Sequence, residues 1–463
     1  MKRSRKKRTL SITIIIIVIL IIAIARLNKL AYIISGYQSK ELASWVFLAH
    51  RDKDSVLRND LNFFPINLAN ATIDRNDSAV ISSVYGLGKQ KAIYRAGRGA
   101  TLLSGANEVI VKHQAYKKPS YPNINPDTVN WPQGNKDAFL DKDTSNINYT
   151  RLERIINASF DNADTARKTN AVLVLYNGKI AIEKYANGFN KNTLHTGWSM
   201  TKSIINTLIG IAVKHNLVDI YAPNKIQEWQ QDDRKNINID QLLHMTSGLE
   251  WDEGYGSVSD VTHMLYTEPS CYAYAINKPL QNKPGSNWYY SSGTTNIISG
   301  ILRSAINNDQ EYLSFPREQL FNKTGMHSMV METDASGNFI ASSYAFATAR
   351  DWARLGLLYL HNGIWNGEEI LPKGWVEYST KGSEVTNLEY GAQIWLNQSQ
   401  KEMPNCPKSM FYFDGFHGQR VFIVPSHNAV IVRLGYSEEG LFDFNLWLKN
   451  ILDCLEKKHL GAI

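Results

Sequence analysis

Cysteine is scarce in this chain, which has three among 463 residues: Cys271, Cys406 and Cys454. An odd, small number excludes a disulfide framework of the kind that staples small secreted domains. One bridge stays possible, but sequence does not tell which pair would form it. No cysteine has the His and Asn setting of a catalytic thiol, so each is predicted to be a small buried apolar residue.

Signals for metal and phosphate binding are also lacking. The histidines show no metal-ligand spacing, and neither a metal nor another cofactor is predicted. Gly97-Arg98-Gly99 is followed by neither Lys-Ser nor Lys-Thr and opens no helical pattern, which excludes a phosphate loop. No repeat with a period of about 20–50 residues is visible, so a solenoid or propeller is excluded as well.

Positive charge is concentrated at one end of the chain. The formal net charge is +7, but six basic residues lie within residues 2–8, and the remainder is close to neutral. A basic surface for nucleic acid is therefore not predicted. The length allows two or three domains, or one large domain with additions. Nothing in the sequence indicates the oligomeric state.

An almost unbroken apolar run, rich in isoleucine, follows this basic tail. It extends from Leu10 to Ala25, about the length that crosses a bilayer. Arg26 and Lys29 follow it in place of a small-x-small cleavage site, so residues 9–26 are predicted to be an uncleaved signal anchor rather than a signal peptide. The tail, residues 1–8, would stay cytoplasmic. The prediction is a single-pass bacterial inner-membrane protein with a periplasmic or otherwise extracytoplasmic catalytic domain.

The chain after the anchor divides into an N-terminal extension, residues 27–147, and a main domain, residues 148–463. Within the extension, residues 27–60 are predicted to be helical and residues 77–113 to contain strands. Residues 117–143 are rich in Pro, Asn and Asp, which is typical of an extended linker.

Strand pairs lie at both ends of the main domain. Asn177-Gly178 separates two β-rich runs and is typical of a type I′ hairpin. Residues 420–424 and 430–433 surround a second turn, and the final helix carries apolar side chains on one face. Strands from both ends are predicted to pair in one antiparallel sheet with helices around it, an α/β (α+β) fold whose middle is helical and loop-rich.

The strongest chemical signal is Ser199-Met200-Thr201-Lys202, which precedes an apolar run from Ile204 to Val213. On a helix these Ser and Lys side chains lie one turn apart on the same face. Ser199 would then lie at the helix N-terminus, where backbone N–H groups stabilise developing negative charge. A neutral amine beside a hydroxyl can accept its proton and make it a nucleophile. The motif alone is weak, because Ser4-Arg5-Lys6-Lys7 matches it too.

Two further segments could supply the other groups of such a site. The segment Pro284–Gly293 places Tyr290 in a loop, where a phenol can relay protons if its pKa is tuned. Gly415-Phe416-His417-Gly418 heads a strand whose edge N–H, with that of Ser199, could form an oxyanion hole. Alone, each has a simpler explanation: Tyr290 as a packing residue and the glycines as a bend.

In this order and spacing the three segments resemble the serine β-lactamase and DD-peptidase superfamily. The likeness is closest to the branch with class C β-lactamases, family VIII esterases and aminohexanoate-dimer hydrolases, and it covers residues 148–456. Leu242–Leu249 and Ala347–Gly356 are similar to two more segments of that branch. The resemblance implies a β-lactamase/DD-peptidase-like fold, an antiparallel sheet flanked by helices plus a helical subdomain.

The resemblance also implies roles for the motif residues. Ser199 would be the acylated nucleophile, Lys202 its general base and Tyr290 a second acid/base group. The N–H groups of Ser199 and Phe416 would form the oxyanion hole, and water would release the acyl group without any metal. Four further residues are candidate substrate contacts: Trp198, Ser292, Gly415 and His417.

Two departures from the class C pattern bear on the substrate. Ser292 stands where those enzymes have Asn, and Phe413 and Asp414 stand where they have the Lys and Thr of Lys-Thr-Gly. Because that Lys helps recognise the carboxylate of a β-lactam, an apolar ring beside an acid would bind it poorly. Small esters or amides with neutral acyl groups are the predicted substrates.

Other interpretations stay open from sequence. A DD-peptidase or D-amino-acid amidase acting on cell-wall peptides suits the predicted location, but its substrates end in a carboxylate. A non-catalytic, penicillin-binding-like sensor has no need of Ser199, Lys202 and Tyr290 together. His417 could be an extra acid/base group, although a strand-edge His is favoured. The acidic segment 250–253 is interpreted as a solvated loop rather than a site for a cationic substrate.

Overall fold

The computed structural model describes residues 2–116, 118–119, 125–142, 147–160, 167–438 and 440–456, with side chains from residue 12 onward except 20 and 22–24. The chain divides into two compact units. Unit 1 comprises Met1–Lys112, Gly254–Pro269 and Asp334–Ser336, and unit 2 comprises the rest. The boundary at residue 148 stays a prediction, and the predicted linker lies partly outside the described residues.

The helices and strands of the described residues are as follows. The α-helices are α1 (Lys2–Ala43), α2 (Lys53–Asn59), α3 (Glu108–Lys112), α4 (Tyr149–Asn157), α5 (Thr201–Lys214), α6 (Ile239–Leu243), α7 (Asp260–Thr267), α8 (Cys271–Ile276), α9 (Ser292–Ile306), α10 (Asp309–Pro316), α11 (Ala349–Leu360), α12 (Trp375–Ser379) and α13 (Phe444–Leu452). The strands are β1 (Ala69–Asp74), β2 (Ala79–Val84), β3 (Leu87–Arg95), β4 (Gly99–Leu102), β5 (Thr169–Tyr176), β6 (Lys179–Tyr185), β7 (His195–Thr196), β8 (Val330–Met331), β9 (Ala345–Ala347), β10 (Ile364–Trp365), β11 (Glu368–Glu369), β12 (Trp395–Leu396), β13 (Phe411–Gly415), β14 (Gln419–Val424) and β15 (Ala429–Gly435).

Unit 1 packs the second half of α1 against a four-stranded antiparallel sheet with the order β1-β2-β3-β4. Gln38, buried on α1, donates to the Ala69 carbonyl at 2.8 Å and accepts from the Ser82 hydroxyl at 2.6 Å. These bonds tie the helix to two neighbouring strands. The helix and strands predicted for this part of the sequence are both present.

The first half of α1 contains most of the predicted anchor. Where side chains are described, no helix has both the length and the apolar character needed to cross a bilayer. The predicted segment, residues 9–26, lies partly outside those described side chains.

The centre of unit 2 is a six-stranded antiparallel sheet with the order β12-β13-β14-β15-β5-β6. Asn177 and Gly178 both have positive φ, at +51° and +78°, as a type I′ turn requires between β5 and β6. Strand β15, near the C-terminus, pairs with β5. The prediction that strands from both ends of the main domain pair in one sheet is therefore confirmed.

Both faces of this sheet are covered by helices. Phe422 on β14 and its cross-strand partner Ile431 on β15 belong to a core shared with α4 and α13. The alternate residues Val421 and Val430 approach Gly356 of α11 on the opposite face. Period-two alternation thus sends apolar side chains to both sides, so β14 and β15 are buried almost throughout. The three cysteines are buried thiols, and no disulfide joins them among the described residues.

Gly356 sets how closely α11 approaches the sheet, which yields a stability prediction. A Cβ at this position would lie 2.6 Å from Val430 Cγ1 and 2.9 Å from Val421 Cγ1. Gly356→Val should therefore destabilise the protein by about 1–3 kcal/mol, the usual cost of overpacking a core. Gly256→Val is the control, since a Cβ at Gly256 meets no atom within 4 Å. Equal thermal midpoints for the two variants would contradict the prediction.

Candidate active site

Ser199 lies in a tight turn directly before α5. The turn, Trp198–Met200, is 3-10 helical, and Trp198 within it has φ +47°, a left-handed conformation that is rare for a large side chain. The Thr201 hydroxyl holds this turn, because it donates to the Trp198 carbonyl at 2.7 Å and accepts from the Ala345 N–H at 3.1 Å. Ser199 is thereby fixed at the N-terminus of α5, partly exposed.

Two glycines let other elements reach this turn. A Cβ on Gly197 would lie 2.3 Å from the Trp352 ring, and one on Gly415 would lie 2.1 Å from the Gly197 carbonyl oxygen. The end of β13 therefore contacts this turn at Gly197. The Phe416 ring packs edge-on to the buried Trp198 ring, with 5.6 Å between their centroids.

Lys202, on the first turn of α5, directs its amine at Ser199. Its Nζ lies 3.0 Å from each of three oxygens: Ser199 Oγ, Ser292 Oγ and the Ser342 carbonyl. The side chain is only 1% exposed. Burial disfavours the ammonium and lowers the pKa of Lys202 to about 8, although the carboxylates of Glu253 and Asp414 act in the opposite direction. A substantial fraction of the amine is therefore neutral near pH 8.

Tyr290 faces the same amine. Lys202 Nζ lies 4.8 Å from the centre of the Tyr290 ring. Burial, with Tyr390 and Glu253 nearby, raises the pKa of Tyr290 well above its usual value, while a hydrogen bond with Ser199 lowers it. The phenol is thus neutral at physiological pH and can donate a proton next to Ser199. The rings of Tyr390 and Trp395 pack around it, with centroids 5.9 and 5.5 Å away.

Sequence reasoning missed Glu253 as part of this site. Glu253 Oε1 accepts from the Ser292 hydroxyl at 2.6 Å, and Oε2 accepts from Ser292 N–H at 2.8 Å and Trp251 Nε1 at 2.6 Å. The solvated-loop interpretation fits its exposed neighbours Glu250 and Asp252 but is wrong for Glu253. No local motif marks the residue, because Ser292 lies 39 positions along the chain.

Ser292 is fully buried between Lys202 and Glu253. This placement favours contact with the Lys202 amine over the direct substrate contact that the sequence predicts for Ser292. Asn296 and Ser342 extend the polar contacts, since Asn296 Nδ2 donates to the Ser292 carbonyl at 3.0 Å and to Ser342 Oγ at 3.1 Å.

Asp414 and Arg420 form a cross-strand ion pair at the end of the β13–β14 hairpin. Burial raises the pKa of Asp414, while Arg420 and Lys202 lower it. Arg420 Nη1 also donates to the Gly415 carbonyl at 3.0 Å. Arg420, the cation at this end of the hairpin, is therefore already paired with Asp414.

His417 is the middle residue of the turn between β13 and β14, with φ +59°. Its ring stacks on Tyr436, with 5.0 Å between centroids, and burial lowers the pKa of His417 to about 4. The imidazole is neutral at physiological pH. Its carbonyl accepts from the Ser437 N–H at 3.0 Å, which fits the favoured interpretation as a strand-edge residue. The rings of His417 and Trp198 are 6.5 Å apart.

Comparison with known proteins adds to this geometry. The sequence profile of the Beta-lactamase family matches residues 156–453. A 6-aminohexanoate-dimer hydrolase of Paenarthrobacter ureafaciens is 24% identical over 292 residues, which are 58% of this chain and 72% of the relative. A Bacillus anthracis structure assigned as a 6-aminohexanoate-dimer hydrolase superposes with a TM-score of 0.55 at 23% identity, covering 65% of this chain and 80% of the other. A family VIII carboxylesterase superposes with a TM-score of 0.51 at 13% identity, covering 66% and 96%.

At these identities the superposed structures show the fold alone. The profile spans well over half of the chain and contains Ser199, Lys202, Ser292 and Tyr290. The protein belongs to the Beta-lactamase family, within the superfamily of serine β-lactamases and penicillin-binding proteins, and is a serine hydrolase.

Proposed function

We propose that the protein hydrolyses small esters or amides with neutral acyl groups through an acyl-enzyme on Ser199. One observation carries the proposal: a buried amine, with its pKa lowered to about 8, is hydrogen-bonded to the hydroxyl of Ser199 at 3.0 Å. A nucleophile beside a partly neutral base is the minimum machinery of acyl transfer.

The proposed reaction has two stages, acylation of Ser199 and hydrolysis of the acyl-enzyme. Ser199 Oγ attacks the substrate carbonyl while Lys202 Nζ accepts its proton, and the N–H groups of Ser199 and Phe416 stabilise the oxyanion. The neutral Tyr290 phenol gives its proton to the leaving oxygen or nitrogen and takes the proton held by Lys202. The amine is then neutral again. Water attacks the acyl-enzyme by the reverse route and releases the acid and free Ser199.

The charges around the third motif support a neutral substrate. A carboxylate approaching the end of β13 would meet Asp414, and Arg420 is already engaged by that acid. The named relatives are consistent with ester and amide chemistry, since one is a carboxylesterase and another a hydrolase of the 6-aminohexanoate dimer. The exposed Phe416 and Tyr289 add apolar surface for an acyl or leaving group.

The activity can be tested with a fluorophosphonate probe and three substrates. We expect the probe to label the wild type and not Ser199→Ala, and p-nitrophenyl butyrate to be hydrolysed faster than a D-Ala-D-Ala peptide. Fluorescent penicillin should label only weakly. Faster turnover of the peptide would favour a DD-peptidase, and no labelling of folded wild type would favour a non-catalytic sensor.

We also propose that residues 9–26 anchor the protein in the bacterial inner membrane with unit 2 outside the cytoplasm. Residues 14–19 support this, because each is an isoleucine or valine about half exposed. The full chain should stay in the membrane pellet after a carbonate wash, and a chain without residues 9–26 should not. Protease added to spheroplasts should degrade unit 2. Recovery of the full chain in the soluble fraction would refute the anchor.

The pKa of Lys202 predicts the pH dependence of the reaction. The amine accepts a proton only when neutral, so kcat/KM for p-nitrophenyl butyrate should rise as pH increases through about 8 and then level off. The pH profile of fluorophosphonate labelling should follow the same curve. A flat profile between about pH 6 and 9 would exclude Lys202 as the base.

A further inference from the structure

We propose that Glu253 is a positioning residue that acts through Ser292 to direct the lone pair of Lys202 at Ser199. The inference rests on the proposed function, because it assigns a role to the same amine. It follows from counting which hydrogen-bonding atoms can donate and which can only accept.

Two of the three partners of Lys202 require a proton from it. The Ser342 carbonyl at 3.0 Å can only accept, so Lys202 must donate to it. The Ser292 hydroxyl has one proton, which it gives to Glu253 Oε1 at 2.6 Å. Its oxygen must therefore accept from Lys202, 3.0 Å away. A neutral amine has two protons, and both are now assigned.

The remaining tetrahedral position of the neutral amine points at Ser199 Oγ, 3.0 Å away. The lone pair of the amine therefore faces the hydroxyl of Ser199, whose proton Lys202 accepts in the proposed reaction. If Ser292 were free to donate to Lys202, the lone pair could turn toward Ser292 instead. The amine would then direct an N–H at Ser199, which does not activate a nucleophile.

Glu253 is held in the orientation that this arrangement needs. Its Oε2 accepts from two groups that can only donate, the Ser292 backbone N–H and the Trp251 indole. A proton on the carboxyl group would have to lie on Oε1 and would reverse the bond with Ser292. The charged and titratable groups facing Lys202 are Glu253, Asp414 and Tyr290. Burial raises the pKa of Glu253, while Lys202 and the hydrogen bonds from Ser292 and Trp251 act in the opposite direction and favour the carboxylate.

Glu253→Gln tests this inference with almost no change in shape. The two donors at Oε2 oblige the amide oxygen to stay there, so the amide NH2 faces Ser292 and the hydroxyl can turn to Lys202. We expect kcat for p-nitrophenyl butyrate to fall about 10- to 100-fold with KM little changed. The acid limb of the pH profile should also move to lower pH, because a charge that raises the pKa of Lys202 has been removed.

Glu250→Gln is the matched control, since Glu250 is exposed in the same loop, and it should match the wild type in both measurements. Ser292→Ala provides the second test. Without the hydroxyl, adding Glu253→Gln should lower kcat by less than about twofold, because the positioning bond is already absent. An equal fold-loss in both backgrounds would refute action through Ser292.

Two results separate this inference from the proposed function. If the wild type neither hydrolyses esters nor takes the fluorophosphonate, the proposed function has failed. If the wild type is active and Glu253→Gln matches Glu250→Gln, only the positioning role has failed. Glu253→Asp keeps the charge but shortens the arm, and it replaces the Gln variant if that variant does not fold. The kcat of Glu253→Asp should fall while the acid limb of its pH profile stays where it is in the wild type. An unchanged kcat would overturn the inference.

Discussion

The site depends on removing one lysine amine from water. Lys202 would titrate near its ordinary value of 10.5 on a surface, where almost no neutral amine exists at physiological pH. Burial changes this balance, but a buried amine needs a hydrogen-bond acceptor for each of its protons. Ser292, the first residue of α9, and Ser342, in the segment that leads into β9, supply these acceptors, and Ser199 in the turn before α5 is the third hydrogen-bond partner. The fold of unit 2 brings these three segments, which are far apart in the sequence, together around Lys202.

Opposing effects set the final pKa of that amine. Desolvation alone would lower it further, but the carboxylates of Glu253 and Asp414 favour the ammonium form. Arg420 compensates part of the Asp414 charge through their ion pair. The result is an amine with a pKa of about 8, which in the proposed mechanism accepts the proton of Ser199 and also passes it on. A stronger base would stay protonated, and a weaker one would not accept the proton.

Local patterns in the sequence predicted a large part of this arrangement. Asn177-Gly178 determines its turn by backbone preference alone, and Ser199 and Lys202 are three residues apart, so helix geometry brings them together. Glu253 could not be found in this way. Its contact with Ser292 spans 39 residues, and the Lys202 contact with Ser342 spans 140. Such contacts depend on tertiary packing. The division of the chain also followed no local signal, since residues 254–269 belong to unit 1 while Glu253 belongs to unit 2.

Under the proposed function, the third motif explains how the acyl-transfer mechanism can be kept while the substrate differs. The proposed acyl transfer needs only one backbone N–H from the residue after β13, and Gly415 lets the end of that strand approach Gly197 whatever side chains precede it. The side chains of the strand are therefore free to change with the substrate. Here Phe413 is fully buried, and Asp414 is turned to Arg420 across the hairpin. A substrate carboxylate would have to displace Asp414 from Arg420 or lie beside an acid, and both cost free energy in a partly desolvated cleft. Under the proposed function, the chemistry of Ser199 is thereby retained while an anionic substrate is disfavoured.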